Sequence, residues 1–532
     1  MEVNDKGEVA ATLVINNGLI VDGTGRAAFK GTIAIRGERI IGVGEVVNSD
    51  CAKTIDASGL VVAPGFIDMH SHSDFPLLVN PRNESKIRQG VTTEVIGNCG
   101  ASAAPVTEEK LDLLKEQADL DSLELEWDWL TMGEYFARLK GQGTALNVVA
   151  LIGHGTVRAA VMGFDDRAPT ATELGSMKDL IEQAMRDGAW GISTGLIYAP
   201  SFYADTEELI ELSKVVAECG GIYASHIRGE GNTLLDAVSE AITIGQEAGL
   251  PVQLSHHKAT GKANWGKVVQ SLELIDRARA EGFDVTADQY PYIAASNGLA
   301  DSLPGWMHVG GKVELLNRLR DPAVRKRLCQ EMKKSQGYWE NVKIAYCKIN
   351  KDYEGMSIEA VAGLRKVDVY EAVFDLLREE EATVGIVHFC IAEEDVLTVM
   401  QHKAVMIGSD GSALATYGVL NRGKPHPRSY GTFPRVLGKY VREEKILSLE
   451  EAIRKMTSLP AKKLGLAGRG LLAEGMQADI TVFDPQTVRD RATYIDPHRY
   501  PDGIDYVLVN GTVVIEQGEH TGKLAGRVLL HN

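Results

Sequence analysis

Between Ala63 and Leu414, short apolar strand-like runs alternate with amphipathic stretches of helical period. That alternation admits few folds, because parallel strands must be joined by helical crossovers. Nine runs have strand character, at 61–69, 92–97, 146–152, 189–193, 222–225, 251–255, 283–287, 384–389 and 405–409. Helices are clearest at Thr206–Cys219, Leu234–Ala248, Val268–Glu281 and Leu449–Lys463, where apolar residues recur every three to four positions. Nine strands exceed the places of a TIM-like (β/α)8 barrel, so one of the last three is expected to be extra. The stretch from Ser302 to Gly355 is too long for a simple crossover and is read as an inserted lobe at about 300–355. A doubly wound open sheet fits the same periodicity.

Both chain ends have another texture. Leu13-Val14-Ile15, Ile33-Ala34-Ile35 and Ile40-Ile41-Gly42-Val43 are short strands broken by glycine turns, and the pattern returns at Ala478–Phe483 and Tyr506–Ile515. The two ends, 1–62 and 471–532, are therefore expected to build one small β-sandwich domain. It would flank a catalytic barrel at 63–415 and a barrel-closing loop with helices at 416–470. The hydrophobic share of 44% and charged share of 24% in 532 residues exclude disorder, collagen and coiled coil. A net charge of −17 without a basic block argues against nucleic acid and anionic membranes as partners. No run approaches the ~18 apolar residues of a membrane span. Met1 to Ile20 carries Glu2, Asp5 and Glu8 rather than the basic start of a secretory signal. Six cysteines, at 51, 99, 219, 329, 347 and 390, show no paired spacing. These features point to a reduced, cytoplasmic setting.

The strongest local signal is Asp68-Met69-His70-Ser71-His72, at the end of the run Val61–Ile67. Strand alternation places His70 and His72 on one face, as two imidazoles on one metal require, although such a pair can also be ordinary polar residues at a strand end. Four further metal-competent residues follow other strands: Cys99 in Gly97-Asn98-Cys99-Gly100, His226 after Ile222–Ser225, His256 after Val252–Ser255, and Asp410 after Met406–Ser409. Parallel barrels deliver all their carboxyl ends to one rim, where active sites lie. Five strands bringing such residues to one rim outweigh the bland reading of each residue alone.

At these residues the chain resembles the amidohydrolase superfamily, and within it the D-aminoacylases, or N-acyl-D-amino-acid deacylases. Further stretches similar to that family are Ser255-His256-His257-Lys258-Ala259, Asn264-Trp265-Gly266, Asp288-Gln289-Tyr290-Pro291-Tyr292 and His426-Pro427-Arg428 through Pro434-Arg435. The resemblance implies that Cys99, His226 and His256 hold a tightly bound zinc, while His70, His72, Cys99 and Asp410 frame a second, weaker site. Dihydroorotases and hydantoinases use a carboxylated lysine on the fourth strand, and Gly188–Thr194 contains none.

The expected reaction is zinc-dependent hydrolysis of the amide bond of a small-molecule N-acyl-D-amino acid, or of a dipeptide ending in a D-residue. Asp410 is the candidate general base and acid, a role typically contributing about 10²- to 10⁴-fold. Tyr198 matches the family position for an oxyanion donor, with His154 a weaker candidate on the same rim. Arg428 fits the substrate α-carboxylate through paired hydrogen bonds, and Lys258, Tyr290 and Tyr292 are expected to line that pocket. The resemblance implies that members taking acidic D-residues supply an arginine from the region Ala287 to Gly311, which here has no lysine or arginine, so neutral or apolar side chains are favoured. A cyclic-amide hydrolase and a catalytically silent scaffold are the rival readings.

Overall fold

The computed structural model describes residues 11–45, 53–118, 123–335 and 339–531. Eight positions around one ring are filled by β1 (Phe66–Asp68), β2 (Val91–Ile96), β3 (Asn147–Ala150, resuming at Ile152–Gly153), β4 (Gly191–Gly195), β5 (Ile222–His226), β6 (Val252–Leu254), β7 (Val285–Gln289) and β8 (Val405–Ile407). Neighbouring strands pair in parallel from β1 through β8. The ring closes just beyond β1 and β8, where Asp410 N donates to His70 O at 2.8 Å and His72 N to Gly411 O at 3.0 Å. Closure at that point excludes the open sheet.

The run 61–69 is two strands. Val61–Pro64 pairs with Leu13–Ile20 and Ile480–Phe483 in the terminal sheet, and Phe66–Asp68 opens the barrel. Gly65 makes the passage, because a Cβ there would stand 2.2 Å from Thr92 Oγ1. Both pieces are buried throughout, so apolarity alone does not mark the break. The helix expected over Leu449–Lys463 also divides, into Leu449–Met456 and Ser458–Leu464. Pro460 has no N–H for the carbonyl of Met456, and the chain breaks at Thr457.

The surplus strand is Val384–Phe389, which pairs antiparallel with both Ala294–Gly298 and Val342–Cys347. This sheet has its own core, including Leu299, Met307, Phe374, Leu377 and Ile386. The inserted lobe therefore takes in 294–389 rather than about 300–355, since its sheet draws strands from both ends of the insertion. Its first strand and the following turn form one wall of the cavity at the barrel mouth.

The terminal segments form a single nine-stranded sheet in which 504–509, 480–483, 61–64, 13–20 and 29–36 lie side by side. The sheet curls until its hairpins meet: Ala478 N donates to Glu38 O at 2.8 Å, and Gly511 passes so near Gly37 O that a Cβ would lie 2.0 Å away. One face encloses Ile15, Ile33, Val62, Ile480 and Leu508, and the other contributes Val61, Phe483 and Val507 to the barrel core. Among the described residues the cysteines are free thiols, and no helix is long and apolar enough to cross a membrane. Met1–Ala10 and Cys51 lie outside the described residues.

Candidate metal centre

The donors cluster at the carboxyl ends of the barrel strands in two groups that share one thiol. Cys99, His226 and His256 form one group, and His70, His72, Cys99 and Asp410 the other, with ligand atoms inside each group within 4.8 Å of one another. Cys99 Sγ lies 3.3 Å from His70 Nε2 and 3.4 Å from His256 Nε2, and His256 Nε2 is 2.9 Å from His226 Nδ1. Asp410 Oδ1 stands 2.9 Å from His72 Nε2 and 3.4 Å from His70 Nε2. Tetrahedral zinc with N and S ligands separates its donors by roughly 3.3–3.6 Å, close to this spacing.

The backbone is bent to achieve this. Cys99, His256 and Asp410 have φ of 52°, 35° and 51°, left-handed values that are uncommon outside glycine. Such conformations cost of order 1–3 kcal/mol each and persist where surrounding structure imposes them. Here His256 N donates to Asp288 Oδ1 at 2.8 Å, Asp410 N to His70 O, and Gly100 N to Ser193 Oγ at 3.0 Å.

A second layer fixes the rings. His70 Nδ1 donates to Asp288 Oδ1 at 3.0 Å, and His256 Nδ1 stands 3.0 Å from Glu230 Oε1 and 2.9 Å from Lys258 Nζ, which turns each Nε2 toward the centre. Asp288 also accepts from Gln253 Nε2 at 2.7 Å. Burial opposes ionisation of Cys99, yet His70 and His256 hold the thiol well below its usual range. The thiolate is the form that ligates zinc. Burial and the neighbouring His256 push His226 down, keeping it neutral as a ligand must be. Burial would raise the Asp410 carboxyl, but Arg428, His256 and His70 outweigh it and hold it well below the carboxylate range. The donors are unequal in access: the His72 side chain is 32% exposed and that of His70 0%. Burial opposes the charged form of His70, but Asp288, Cys99 and Asp410 raise it; burial and Lys258 oppose that of His256, but Cys99, Asp410 and Glu230 raise it. Zinc would bind there by displacing protons, and thiolate, imidazole and carboxylate in these positions fit Zn²⁺.

The cavity above these donors encloses about 500 Å³. Tyr198, Lys258, Tyr290 and Arg428 line it, as the sequence suggests. Tyr198 packs its ring edge-on to His226 with centroids 4.9 Å apart, and burial, followed by the nearby Asp301, keeps its hydroxyl protonated. Arg428 Nη1 donates to Asp410 Oδ2 at 2.7 Å and Nη2 to Ser296 O at 3.1 Å. Lys258 donates to Glu230 Oε1 at 2.5 Å. The Tyr290 ring lies under both cations, 4.9 Å from Arg428 and 5.6 Å from Lys258, and its buried hydroxyl has no partner among the described residues.

Two expected pocket residues lie elsewhere. His154 is wholly buried between Ser201 Oγ at 2.9 Å and Glu208 Oε1 at 3.0 Å, where it ties its helix to the helix Thr206–Glu218 instead of facing the cavity. Tyr292 is turned away by a tight bend in which its N–H donates to Tyr290 O at 3.0 Å, and its ring backs onto His426 and Arg435. Sequence reasoning passed over Asp288 and Glu230. Asp288 is an acidic residue near the end of a barrel strand, the same signal that exposes Asp410.

A closed parallel barrel carrying imidazole, thiolate and carboxylate donors on its carboxyl rim defines a metal-dependent hydrolase. The chain belongs to the amidohydrolase family, whose profile matches residues 53–515. It is 38% identical over 521 residues to the D-aminoacylase of Alcaligenes xylosoxydans xylosoxydans, with 97% of each chain covered. It is 37% identical over 522 residues to the N-acyl-D-glutamate deacylase of the same organism, covering 97% of this chain and 96% of that one. Among solved structures, it is similar to the N-acyl-D-glutamate deacylase of Bordetella bronchiseptica complexed with zinc and a phosphonate mimic of the tetrahedral intermediate. That match has a TM-score of 0.84 at 36% identity and covers 98% of this chain and 100% of the other.

Proposed function

We propose that the protein hydrolyses the amide bond of N-acyl-D-amino acids, and of dipeptides with a C-terminal D-residue, releasing a carboxylic acid and a free D-amino acid. The observation that carries this reading is the placement of Arg428 in the same cavity as the Cys99, His226 and His256 donors. In a chain of charge −17, that guanidinium is a local cation suited to an α-carboxylate beside the scissile bond. The relatives named as D-aminoacylase and N-acyl-D-glutamate deacylase support the substrate class.

Zinc held by Cys99, His226 and His256 would supply a Lewis acid that polarises the carbonyl and makes water acidic enough to attack near neutral pH. His70, His72 and Asp410 would form a second, weaker site with the shared thiolate. Arg428 spends one N–H on Asp410 and one on Ser296 O, so further donors remain for the substrate carboxylate, with the Tyr290 hydroxyl beside them. Tyr198 remains protonated and donates to the oxyanion as it forms. Asp410 takes the proton released by attacking water and returns it to the departing amine.

The cavity also bears Phe75, Leu114, Trp127, Ala159 and Phe164, which supports neutral or apolar side chains over acidic ones. A cyclic-amide hydrolase lacks support because the β4 segment offers no lysine, and a silent scaffold because the donor set is complete. The test is steady-state kinetics with N-acetyl-D-leucine, N-acetyl-D-methionine, N-acetyl-D-glutamate, hydantoin and dihydroorotate, with and without chelator. Linear N-acyl-D-residues should turn over, leucine and methionine ahead of glutamate, and chelation should abolish the rate. Preferred turnover of a cyclic amide, or indifference to chelation, would refute the proposal. Tyr198→Phe should lower kcat by about 10²- to 10³-fold. A loss below tenfold would remove Tyr198 from that role.

A further inference from the structure

The catalytic cavity contains one carboxylate that the reaction does not use. Asp301 lies on the wall formed by the inserted lobe, in the turn after the strand Ala294–Gly298, and lines the main cavity together with Phe164, Trp127 and Tyr198. It also lines a smaller recess of about 140 Å³ that runs into the lobe past Phe164, Ala300 and Leu315; His308 and Lys312 line that recess too, and Lys312 Nζ is directed to Thr383 Oγ1 at 3.4 Å. It accepts one hydrogen bond among the described residues, from Gly298 N to Oδ2 at 2.9 Å. Among the described residues no lysine, arginine or histidine nitrogen pairs with it, and the influences on its ionisation are burial and that single backbone contact. The other acids of the cavity are all engaged: Asp410 with Arg428 and His72, and Glu230 with Lys258 and His256. Asp301 shares the cavity wall with Tyr198, and after burial its charge helps raise the Tyr198 hydroxyl. Burial raises its carboxyl to about 6, so it is ionised at neutral pH.

An unpaired carboxylate facing a ligand cavity is expensive unless the ligand satisfies it. The walls leading to it are apolar and aromatic, a surface that accepts a methylene stem and, at its rings, a cation. Building on the deacylase reading, we infer that Asp301 is a specificity-determining residue that recognises a cationic tip on an apolar stem, as in N-acyl-D-lysine, N-acyl-D-ornithine or N-acyl-D-arginine. It also repels acidic side chains in the main cavity, whose lobe wall carries no lysine or arginine.

The experiment compares kcat/KM of the zinc-loaded enzyme for N-acetyl-D-lysine, N-acetyl-D-norleucine and N-acetyl-D-glutamate at pH 7.5 and low salt. Norleucine keeps the stem and lacks the ammonium. The expected result is lysine above norleucine by tenfold or more, with glutamate slowest. In Asp301→Asn the lysine-to-norleucine ratio should fall at least tenfold, mainly through KM, and Asp301→Glu should restore part of it. Norleucine at or above lysine in the wild type overturns this inference while leaving the deacylase reading intact; glutamate fastest overturns the side-chain reading as well. A uniform loss on all three substrates in Asp301→Asn would mean that the residue only caps its turn, and would also overturn the inference. Should the variants fail to fold, the wild-type ratio alone decides.

Discussion

Lys86 should be the most consequential residue that touches neither substrate nor metal donor. Its side chain is entirely buried on the short helix Glu84–Ile87, and Nζ donates to Asp68 Oδ2 at 2.7 Å, Ser409 Oγ at 2.6 Å and Gly411 O at 2.9 Å. These contacts join the end of β1 to the end of β8, where His70 and Asp410 hang. Lys86→Met removes the ammonium and leaves Asp68 buried. Breaking a buried pair on one side typically costs about 3–5 kcal/mol. Asp68 keeps bonds from Ser409 N at 2.8 Å, Ser409 Oγ at 2.6 Å and His70 N at 3.3 Å, which argues for the lower part of that range. A loss of about 3 kcal/mol is about a 10²-fold shift in the unfolding equilibrium. It should be seen in urea titrations read by tryptophan fluorescence, with zinc content measured on the folded fraction. Lys86→Met with Asp68→Asn removes both members of the closest pair, leaves Glu94, 4.0 Å from Nζ, to the Ser71 and Ser73 hydroxyls, and should recover at least half of the loss. A single variant destabilised by less than about 1 kcal/mol, or a double variant no better than the single, would refute the reasoning.

Arg428→Lys keeps a positive charge but loses the planar fork, and should lower kcat/KM by about 10- to 100-fold through KM, measured in steady state. An unchanged KM would separate Arg428 from the substrate carboxylate. Asp288→Asn loosens His70 and the His256 backbone, and should weaken zinc binding by about 10- to 100-fold in competition with a chromogenic chelator. Equal affinity would contradict the orienting role. His257 is buried against Ser271 Oγ at 2.8 Å; burial, then Lys258, push its ring down to about 4. The unfolded chain takes that proton first, near pH 6.5, so this contribution to stability is complete above 6.5 and is lost as pH falls towards 4. The loss amounts to about 3 kcal/mol, and His257→Gln should flatten that limb of the pH–stability curve.

The metal donors were legible because each follows an apolar strand, and strand ends of a parallel barrel meet on one rim. His70 and His72 obey strand alternation, while Cys99, His256 and Asp410 reach the same centre by left-handed bends that no pattern announces. Asp288 and Glu230 went unread since their roles depend on which ring nitrogen they face, a property of three-dimensional placement. Lys86 meets Ser409 and Gly411, 323 and 325 residues further on, only when the barrel closes. Tyr290 and Tyr292 are both expected from the sequence in the carboxylate pocket, but the bend through Pro291 turns Tyr292 away from it. The Gly65 crossing was hidden inside a continuous apolar run, and the lobe's limits were hidden because its third strand looks like any barrel strand. Asp301 lay in a stretch read for its missing cations rather than for its acid.

The central claim is deacylation of D-configured substrates at a zinc site built on Cys99. The most direct test is kcat/KM of the zinc-loaded protein for the enantiomers of N-acetylmethionine, with wild type and Cys99→Ala side by side. The account predicts turnover of the D-enantiomer at least 10²-fold above the L-enantiomer, and loss of both zinc and activity in the variant. Equal rates on the two enantiomers, or an active Cys99→Ala with zinc still bound, would contradict it.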